Sequence, residues 1–254
     1  MKKKFKIILI FLNSLIGICN LKMKKLKKNI ALITARGGSK RIKNKNLLNF
    51  FGKPIIAYSI LAAKRTNVFD SIYVSTDSKK IKKISQKYGA IVPFLRDKKL
   101  SDDFTGTHSV VKNFLNNIDL KNINNICCIY PTAPLINFFD IIKGLKILKK
   151  NYNRYIFSGT KIDLNNYVYF SLNKNKNLDE INYVKFKKNL KSVFYTDAAQ
   201  FYWGSKHTWL NKNKIISSKS RLVEIPFERA QDLNSNLDLK ILKLKKLVTK
   251  YIKD

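Results

Sequence analysis

The residues best suited to chemistry lie in one short segment that combines two glycines with five cations. Gly37 and Gly38 allow the backbone to approach a ligand closely, and Ser39 and the exposed N–H groups can donate hydrogen bonds to an anion. The cations are Arg36, Lys40, Arg41, Lys43 and Lys45. The segment therefore suits a polyphosphate, although a solvated basic turn in a lysine-rich chain remains an alternative.

The spacing of this segment matches neither of two common phosphate-binding patterns. Residues 35–46 contain neither Gly-x-x-x-x-Gly-Lys-Ser/Thr nor Gly-x-Gly-x-x-Gly. The preceding residues 30–33, Ile-Ala-Leu-Ile, are apolar and partly β-branched, which predicts a buried parallel strand. The glycine segment is therefore expected to leave the end of a strand.

Strands and helices are predicted to alternate along the chain. Hydrophobic patterns predict strands at 30–33, 71–75, 90–92, 126–130, 155–159 and 222–226. Helices are predicted at 54–66, at 78–88 after a capping Asp77, from Thr105 or Thr107, at 138–149 and at 236–252. This alternation indicates βαβ units and a largely parallel sheet, whose ligands lie beyond the carboxyl ends of the strands.

Composition favours a globular domain over a nucleic-acid reader. The chain has 254 residues, 45% of them hydrophobic, and a formal net charge of +35. Only seven of its 51 basic residues are Arg, and the lysines are scattered along the whole chain. Specific nucleic-acid readers concentrate Arg on one face, so no specific nucleic-acid partner is expected. The three cysteines offer neither a disulfide framework nor metal-ligand spacing.

Several sequence blocks, in order, resemble the CMP-sugar synthetases, the cytidylyltransferases that activate sialic-acid-like sugars. The similar blocks are 35–40 with Lys45 and Asn46, 51–60, 74–77, 92–96, 100–107 and 197–204. The resemblance spans about residues 30 to 235 and implies a Rossmann-like α/β nucleotidyltransferase fold. That fold is a three-layer sandwich with a mostly parallel sheet and an inserted dimerisation lobe.

The resemblance implies transfer of CMP from CTP to the anomeric hydroxyl of a nine-carbon 2-keto sugar acid, releasing pyrophosphate. The blocks at 102–107 and 200–204 are most similar in members that act on pseudaminic acid, a precursor of surface glycans. Legionaminic and N-acetylneuraminic acids are the alternative acceptors.

The resemblance also implies roles for single residues. The nucleotide-binding positions would be Ala35, Arg36, Gly37, Gly38, Ser39, Lys40, Lys45, Asn46, Arg96 and Asp103. Arg36 and Lys40 would act on the transferring phosphate. Arg96 and Asp103 would shape the pocket for base and ribose, although an isolated Arg is more often part of a surface ion pair. The sugar acid would meet Tyr130, Gln200, Phe201 and Tyr202.

Magnesium is the implied cofactor, because this hard cation takes carboxylate oxygens and bridges phosphates. In the family, two aspartates separated by one residue hold it, and here the matching pair is Asp232 and Asn234. Asp232 would also take part in catalysis. The amide removes one negative charge from a site whose affinity depends on charge. Asp232 alone would also fit a helix cap.

The chain divides into an N-terminal extension, 1–28, and a cytidylyltransferase domain, 29–254, with an inserted hairpin lobe at about 160–200. The family's comparable insertion reaches a second subunit, which implies a homodimer. Residues 1–28 have a charged start and an interrupted apolar stretch, so no membrane span is expected. Because the reaction needs CTP, we expect a cytoplasmic enzyme that begins at Met23 or keeps an uncleaved leader.

Two functions of other classes remain open. Asn234 is compatible with a paralogue that binds nucleotide with weakened turnover. The net charge is compatible with an anion- or RNA-binding protein on the same scaffold.

Overall fold

The computed structural model describes residues 28–119, 122–162, 171–172, 178–179 and 193–249. The strands are β1 (Lys28–Thr34), β2 (Asn49–Phe50), β3 (Lys53–Pro54), β4 (Ser71–Ser75), β5 (Ile123–Ile129), β6 (Ile156–Ile162), β7 (Ser171–Leu172), β8 (Leu178–Asp179), β9 (Phe194–Ser205) and β10 (Arg221–Glu224). The helices are α1 (Ile55–Arg65), α2 (Lys79–Lys87), α3 (Thr107–Asn116), α4 (Phe138–Lys150), α5 (Lys206–Asn211) and α6 (Asn236–Val248).

A six-stranded sheet with the order β10-β6-β9-β5-β1-β4 forms the centre of the molecule. β1 runs parallel to both of its neighbours, β4 and β5, and β10 runs parallel to β6. β9 lies antiparallel between β5 and β6. The predicted mostly parallel α/β sheet is therefore confirmed, with one long antiparallel strand inside it.

Helices cover both faces of this sheet and complete three layers. One face packs Ile33 and Cys127 with residues of α1 and α4, including Ile56 and Leu145. The opposite face packs Leu32, Cys128 and Tyr202 with Phe114 of α3 and Trp209. The central strands are buried on both faces, which explains why they are apolar without alternation.

Two local predictions differ from the structure. Residues 90–92 do not form a strand; they make a single parallel bridge between Ile91 and Tyr73. Pro93 follows immediately and has no N–H to extend the pairing. Asp77 does not cap α2, because the Ser78 hydroxyl accepts the hydrogen bond from the Ile81 N–H at 3.3 Å.

Some predictions fall largely outside the described residues. These are the N-terminal extension at 1–28, the end of the closing helix beyond residue 249, and most of the lobe at about 160–200. Within that lobe, β7 and β8 pair antiparallel, and residues 194–200 belong to β9 of the central sheet. Within the described ranges, no helix has the length and apolar content to cross a membrane.

Helix α4 lies so close to β9 that only a glycine fits at Gly144. A Cβ there would stand 2.7 Å from Cδ1 of Trp203 and 3.0 Å from Cε2 of Phe201. Both rings are fully buried, and the Trp203 indole donates to the Ile141 carbonyl at 3.0 Å. Neither ring can therefore move aside easily.

We expect Gly144→Ala to lower the free energy of unfolding, measured by urea denaturation. Overpacking of a core costs about 1–3 kcal/mol, which exceeds the gain of about 1 kcal/mol in helix propensity. The control Lys146→Ala, on the exposed face of α4, should stay within about 0.5 kcal/mol of wild type. An equally or more stable Gly144→Ala protein would contradict the close contact.

Candidate active site

A cleft of about 290 Å³ opens at the carboxyl end of the parallel strands. Its walls come from the segment after β1, the loop before α3, the turn after β5 and the segment before α6. Its polar lining includes Thr34, Arg36, Arg41, Lys45, Asn46, Arg96, Asp102, Asp103, Thr105, Thr107, Tyr130, Thr132, Asp232 and Asn234. The position agrees with the rule that α/β sheets bind ligands beyond their carboxyl ends.

Side chains from neighbouring segments fix the course of the glycine segment. The Gly37 N–H donates to Oδ1 of Asp77 at 2.7 Å, and the Asn46 amide donates to the Arg36 carbonyl at 2.8 Å. A Cβ on Gly37 would lie 2.9 Å from Cβ of Ser78, whereas Gly38 has no atom within 4 Å of that position. Close packing thus requires glycine at position 37. Asp77 binds this segment instead of capping α2.

Arg36 and Lys40 share one carboxylate at the cleft. Nη2 of Arg36 lies 2.5 Å from Oδ1 of Asp103, and Nζ of Lys40 lies 3.0 Å from Oδ2. Arg36 also donates to the Asp102 carbonyl. The hydrogen bonds from Lys40 and Arg36 hold the pKa of Asp103 below its usual value. The Lys40 side chain is 83% exposed, so this cation stands at the edge of the cleft.

Lys45 joins the glycine segment to the segment before α6. Its ammonium donates to the Leu233 carbonyl at 2.6 Å, across 188 residues of sequence. Burial lowers the pKa of Lys45, and Asp232 partly opposes this effect. Two segments that the sequence separates therefore form one wall of the cleft.

Asn46 carries an acceptor without a partner. The residue is 4% exposed, and its Oδ1 has no hydrogen-bond partner in the described part of the chain. Its amide nitrogen already holds the Arg36 carbonyl. A buried, unpaired amide oxygen on a residue that lines the cleft suits a ligand donor.

Asp232 and Asn234 face the cleft on a segment ordered by Asp238. The Asp232 carboxylate accepts from the Leu233 N–H at 2.8 Å and from the Asn234 amide at 2.6 Å. Oδ2 of Asp238 accepts from the N–H groups of Asn234 and Ser235, and Ser235 caps α6. Asp232 is therefore not the cap of that helix. In the described ranges, no group of three or more His, Cys, Asp or Glu side chains could hold a metal ion.

Arg96 is buried in the cleft wall. It is 5% exposed, its Nε donates to the Ser101 hydroxyl at 3.0 Å, and its Nη1 donates to the Ser75 carbonyl at 3.3 Å. Burial lowers the pKa of Arg96, and the charge of Asp77 opposes this effect. These contacts rule out the alternative of a surface ion pair.

Of the four residues predicted to meet the sugar acid, only Tyr130 lines the cleft. Its hydroxyl lies 2.9 Å from that of Thr107. Tyr202 stands behind it, with ring centroids 5.2 Å apart, and donates to Oδ2 of Asp197 at 2.5 Å. Burial raises the pKa of Asp197, while the hydrogen bond from Tyr202 opposes that shift.

Gln200 and Phe201 do not reach the cleft wall. Gln200 is 2% exposed and its amide donates to the Arg229 carbonyl at 2.6 Å. Phe201 is fully buried against α4, on the face of β9 opposite to Tyr202. Alternation along a strand sends neighbouring side chains to opposite faces, so the three consecutive residues cannot all meet one ligand.

The sequence prediction did not single out Thr107 or Asp197 for the site. Both residues lie inside blocks that carry the family resemblance, at 100–107 and 197–204. Their side chains have hydroxyl and carboxyl groups that reach Tyr130 and Tyr202. The block membership was the available signal, but the pairing became visible only in the fold.

The family model and two curated relatives that match this chain are cytidylyltransferases. A family model described as Cytidylyltransferase matches residues 30–253. The pseudaminic acid cytidylyltransferase of Campylobacter jejuni is 35% identical over 222 residues, which cover 85% of this chain and 95% of that protein. The N-acylneuraminate cytidylyltransferase of Escherichia coli is 27% identical over 218 residues, covering 84% of this chain and 51% of that protein.

Among solved structures, the fold is similar to that of a CMP:2-keto-3-deoxy-manno-octonic acid synthetase determined with CTP. The similarity covers 89% of this chain and 100% of the other, with a TM-score of 0.65 and 15% identity. At that identity, the likeness supports the nucleotidyltransferase fold and no individual residue role.

The two glycines of the segment are expected to respond differently to alanine. Gly37→Ala places a Cβ against Ser78 and should disturb the hydrogen bond to Asp77, lowering both the melting temperature and the affinity for CTP. Gly38→Ala meets open space and should leave the melting temperature unchanged. Differential scanning fluorimetry with and without CTP measures both effects. Equal melting temperatures for the two variants would contradict the contact with Ser78.

Proposed function

Because the chain belongs to the cytidylyltransferase family and is a CTP-dependent nucleotidyltransferase, we propose that it transfers CMP from CTP to pseudaminic acid. The anomeric hydroxyl of this nine-carbon 2-keto sugar acid would attack the α-phosphorus, and pyrophosphate would leave. The observation that carries the proposal is the near full-length similarity to the pseudaminic acid cytidylyltransferase of Campylobacter jejuni. The cleft supplies the cations and polar groups that such a transfer needs.

The phosphates would lie against the glycine segment. Phosphoryl and nucleotidyl transfer depend on alignment and charge stabilisation more than on covalent catalysis. Arg36 and Lys45 line the cleft and Lys40 stands at its edge, so all three can approach a triphosphate. The N–H groups of Ala35, Gly37 and Ser39 already donate to partners within the chain. The backbone donors for the phosphates would therefore be the N–H groups of Arg36 and Gly38. Lys40 is proposed to neutralise the transferring phosphate.

Base and ribose would lie deeper, between Asn46 and Arg96. The unpaired Asn46 Oδ1 can accept a hydrogen bond from a ligand donor. The buried Arg96 guanidinium, held by Ser75 and Ser101, is suited to an acceptor of the base. Fixed donors and acceptors of this kind discriminate strongly between ligands, because a mismatch leaves buried groups unpaired.

The sugar acid would meet Tyr130, which follows β5 and lines the cleft. The Tyr130 hydroxyl, paired with Thr107, can orient a hydroxyl or acetamido group. Tyr202 is proposed to position Tyr130, against which its ring packs. Gln200 is proposed to position the segment that contains Arg229. Phe201 is proposed to act through the packing of β9 on α4.

The donor set fits magnesium as the cofactor. Asp232 supplies carboxylate oxygens and Asn234 an amide oxygen, both on the cleft wall, and these are the ligands that a hard cation prefers. When bound, the cation would neutralise charge on the phosphates of CTP. The hydrogen bond that the Asn234 amide donates to the Asp232 carboxylate keeps the two side chains adjacent.

A homodimer and a cytoplasmic location complete the proposal. CTP as substrate supports a cytoplasmic enzyme. The family's insertion supports a dimer, and the corresponding residues here lie mostly outside the described ranges.

Two observations favour further candidates within the family. The similarity to the Escherichia coli enzyme supports N-acetylneuraminic acid as an alternative acceptor. Asn234 supports a form that binds nucleotide with weakened turnover, because it lacks the second carboxylate.

Pyrophosphate release with CTP and Mg²⁺ tests the proposed function. The chain starting at Met23 is offered pseudaminic, legionaminic and N-acetylneuraminic acids in parallel, and we expect turnover with pseudaminic acid. Lys40→Ala should lower the rate about 10- to 100-fold, since a hydrogen bond to a charged group contributes about 1.5–3 kcal/mol. Lys146→Ala, on the exposed face of α4, is the charge-matched control.

Turnover with another of the three acids alone would reassign the acceptor. No turnover with any of them, despite measurable CTP binding, would favour the nucleotide-binding form.

Restoring the carboxylate with Asn234→Asp should strengthen magnesium binding. Two carboxylates then replace the amide hydrogen bond of 2.6 Å, so without metal they repel each other and lower the melting temperature. Mg²⁺ removes the repulsion and should raise the melting temperature more than in wild type, by mass action. Asn234→Ala, which loses the oxygen without gaining charge, should show a smaller shift than wild type. Equal shifts in all three proteins would place the cation elsewhere.

A further inference from the structure

Arg36 and Lys40, two of the cations proposed to bind the phosphates, already have an anionic partner within the chain. Asp103 places one carboxylate oxygen 2.5 Å from Arg36 and the other 3.0 Å from Lys40. This carboxylate bridges the two cations with anionic oxygens, and phosphate oxygens make the same kind of charge-assisted hydrogen bond to such cations. Any phosphate that binds both cations must therefore compete with Asp103.

The loop that carries Asp103 is held mainly by its own short-range hydrogen bonds. The Asp102 carboxylate accepts from the N–H groups of Phe104 at 3.0 Å and Thr105 at 2.6 Å. Phe104 at the loop tip is 95% exposed. The Asp102 carbonyl adds one contact to Arg36. The turn can thus keep its internal bonds while Asp103 moves away from the cations.

We propose that Asp103 is a built-in counter-anion that sets the affinity of the site for phosphate ligands. It pairs with Arg36 and Lys40 while no ligand is bound, yields to the triphosphate of CTP, and returns as pyrophosphate leaves. This inference rests on the proposed function, because it assumes that the two cations bind phosphates. It assigns Asp103 a role different from the base and ribose contact implied by family resemblance.

The strength of these ion pairs suits such an exchange. The side chains of Arg36 and Asp103 are 29% and 35% exposed, and Lys40 is largely in solvent. Exposed ion pairs are weak and screened, so a ligand with several negative charges can displace them. The same competition weakens the hold on pyrophosphate and should speed its release.

The two roles for Asp103 predict opposite effects of Asp103→Asn. A counter-anion lowers phosphate affinity, so its removal should tighten binding of inorganic pyrophosphate about three- to tenfold, as expected for exposed ion pairs. Cytidine has no phosphate, and its binding should not change. If Asp103 instead holds the ribose, cytidine should bind more weakly and pyrophosphate as in wild type.

Isothermal titration calorimetry with pyrophosphate and CTP, and ligand-observed NMR with cytidine, measure these affinities. Asp70→Asn is the matched control, because it removes one charge at the amino ends of β1 and β4, opposite to the cleft. It keeps an acceptor oxygen for the Asn29 N–H and should leave pyrophosphate binding near wild type. Equal gains in both variants would mean a general effect of net charge and would overturn the proposal.

A double-mutant cycle tests whether Asp103 acts through Lys40. In the Lys40→Ala background, the gain from Asp103→Asn should shrink, because one of the two competing pairs is absent. An undiminished gain would overturn the part of the proposal that involves Lys40. If wild-type protein binds pyrophosphate and the Asp103→Asn variant binds it no more tightly, the counter-anion role of Asp103 is overturned and the proposed function is not. Wild-type protein that binds neither CTP nor pyrophosphate would overturn the proposed function as well.

Discussion

The cleft depends most on the hydrogen bond from the Lys45 ammonium to the Leu233 carbonyl. This contact joins the segment after β1 to the segment before α6, which is 188 residues later in the chain. Leu233 is itself fully buried in a small cluster with Phe50, Ile55 and Leu242. The cluster fixes the carbonyl, the carbonyl fixes Lys45, and Asp232 and Asn234 are thereby held facing the cations.

Few of the many positive charges take part in this arrangement. The chain has a formal net charge of +35, yet the cations at the cleft are distinguished by their partners rather than by their number. Arg36 and Lys40 pair with Asp103, and Lys45 is held by a carbonyl. Local pairing distinguishes these groups from the scattered lysines, because it brings them together at the cleft and a phosphate that binds Arg36 and Lys40 must compete with Asp103.

The antiparallel strand β9 also contributes to the site. It enters between β5 and β6, where it places Tyr202 beside Tyr130 and Phe201 on the opposite face. β9 starts beside Ile162 at the carboxyl end of β6 and runs back through the sheet, away from the cleft edge. An antiparallel strand can do this without the crossover connection that a parallel strand needs. The half-buried carboxyl of Asp197 then accepts a hydrogen bond from the Tyr202 hydroxyl behind the cleft wall.

The sequence by itself determined the elements, the family and the segments that meet at the cleft. Apolar runs and helical periodicity depend on neighbouring residues, so β1, β4, β5 and most helices were predictable. The glycine segment and the Asp232 region were recognisable by their motifs.

Only the tertiary structure decided which side chains meet. Asp77 lies close to Ser78 in sequence, but its carboxylate binds Gly37 on another strand's loop. Phe201 belongs to a family block, but the register of β9 buries it against α4. The pairing of Asp103 with Arg36 and Lys40 likewise follows from strand order. Local patterns encode which face a residue takes, whereas contacts across a sheet depend on how distant segments pack.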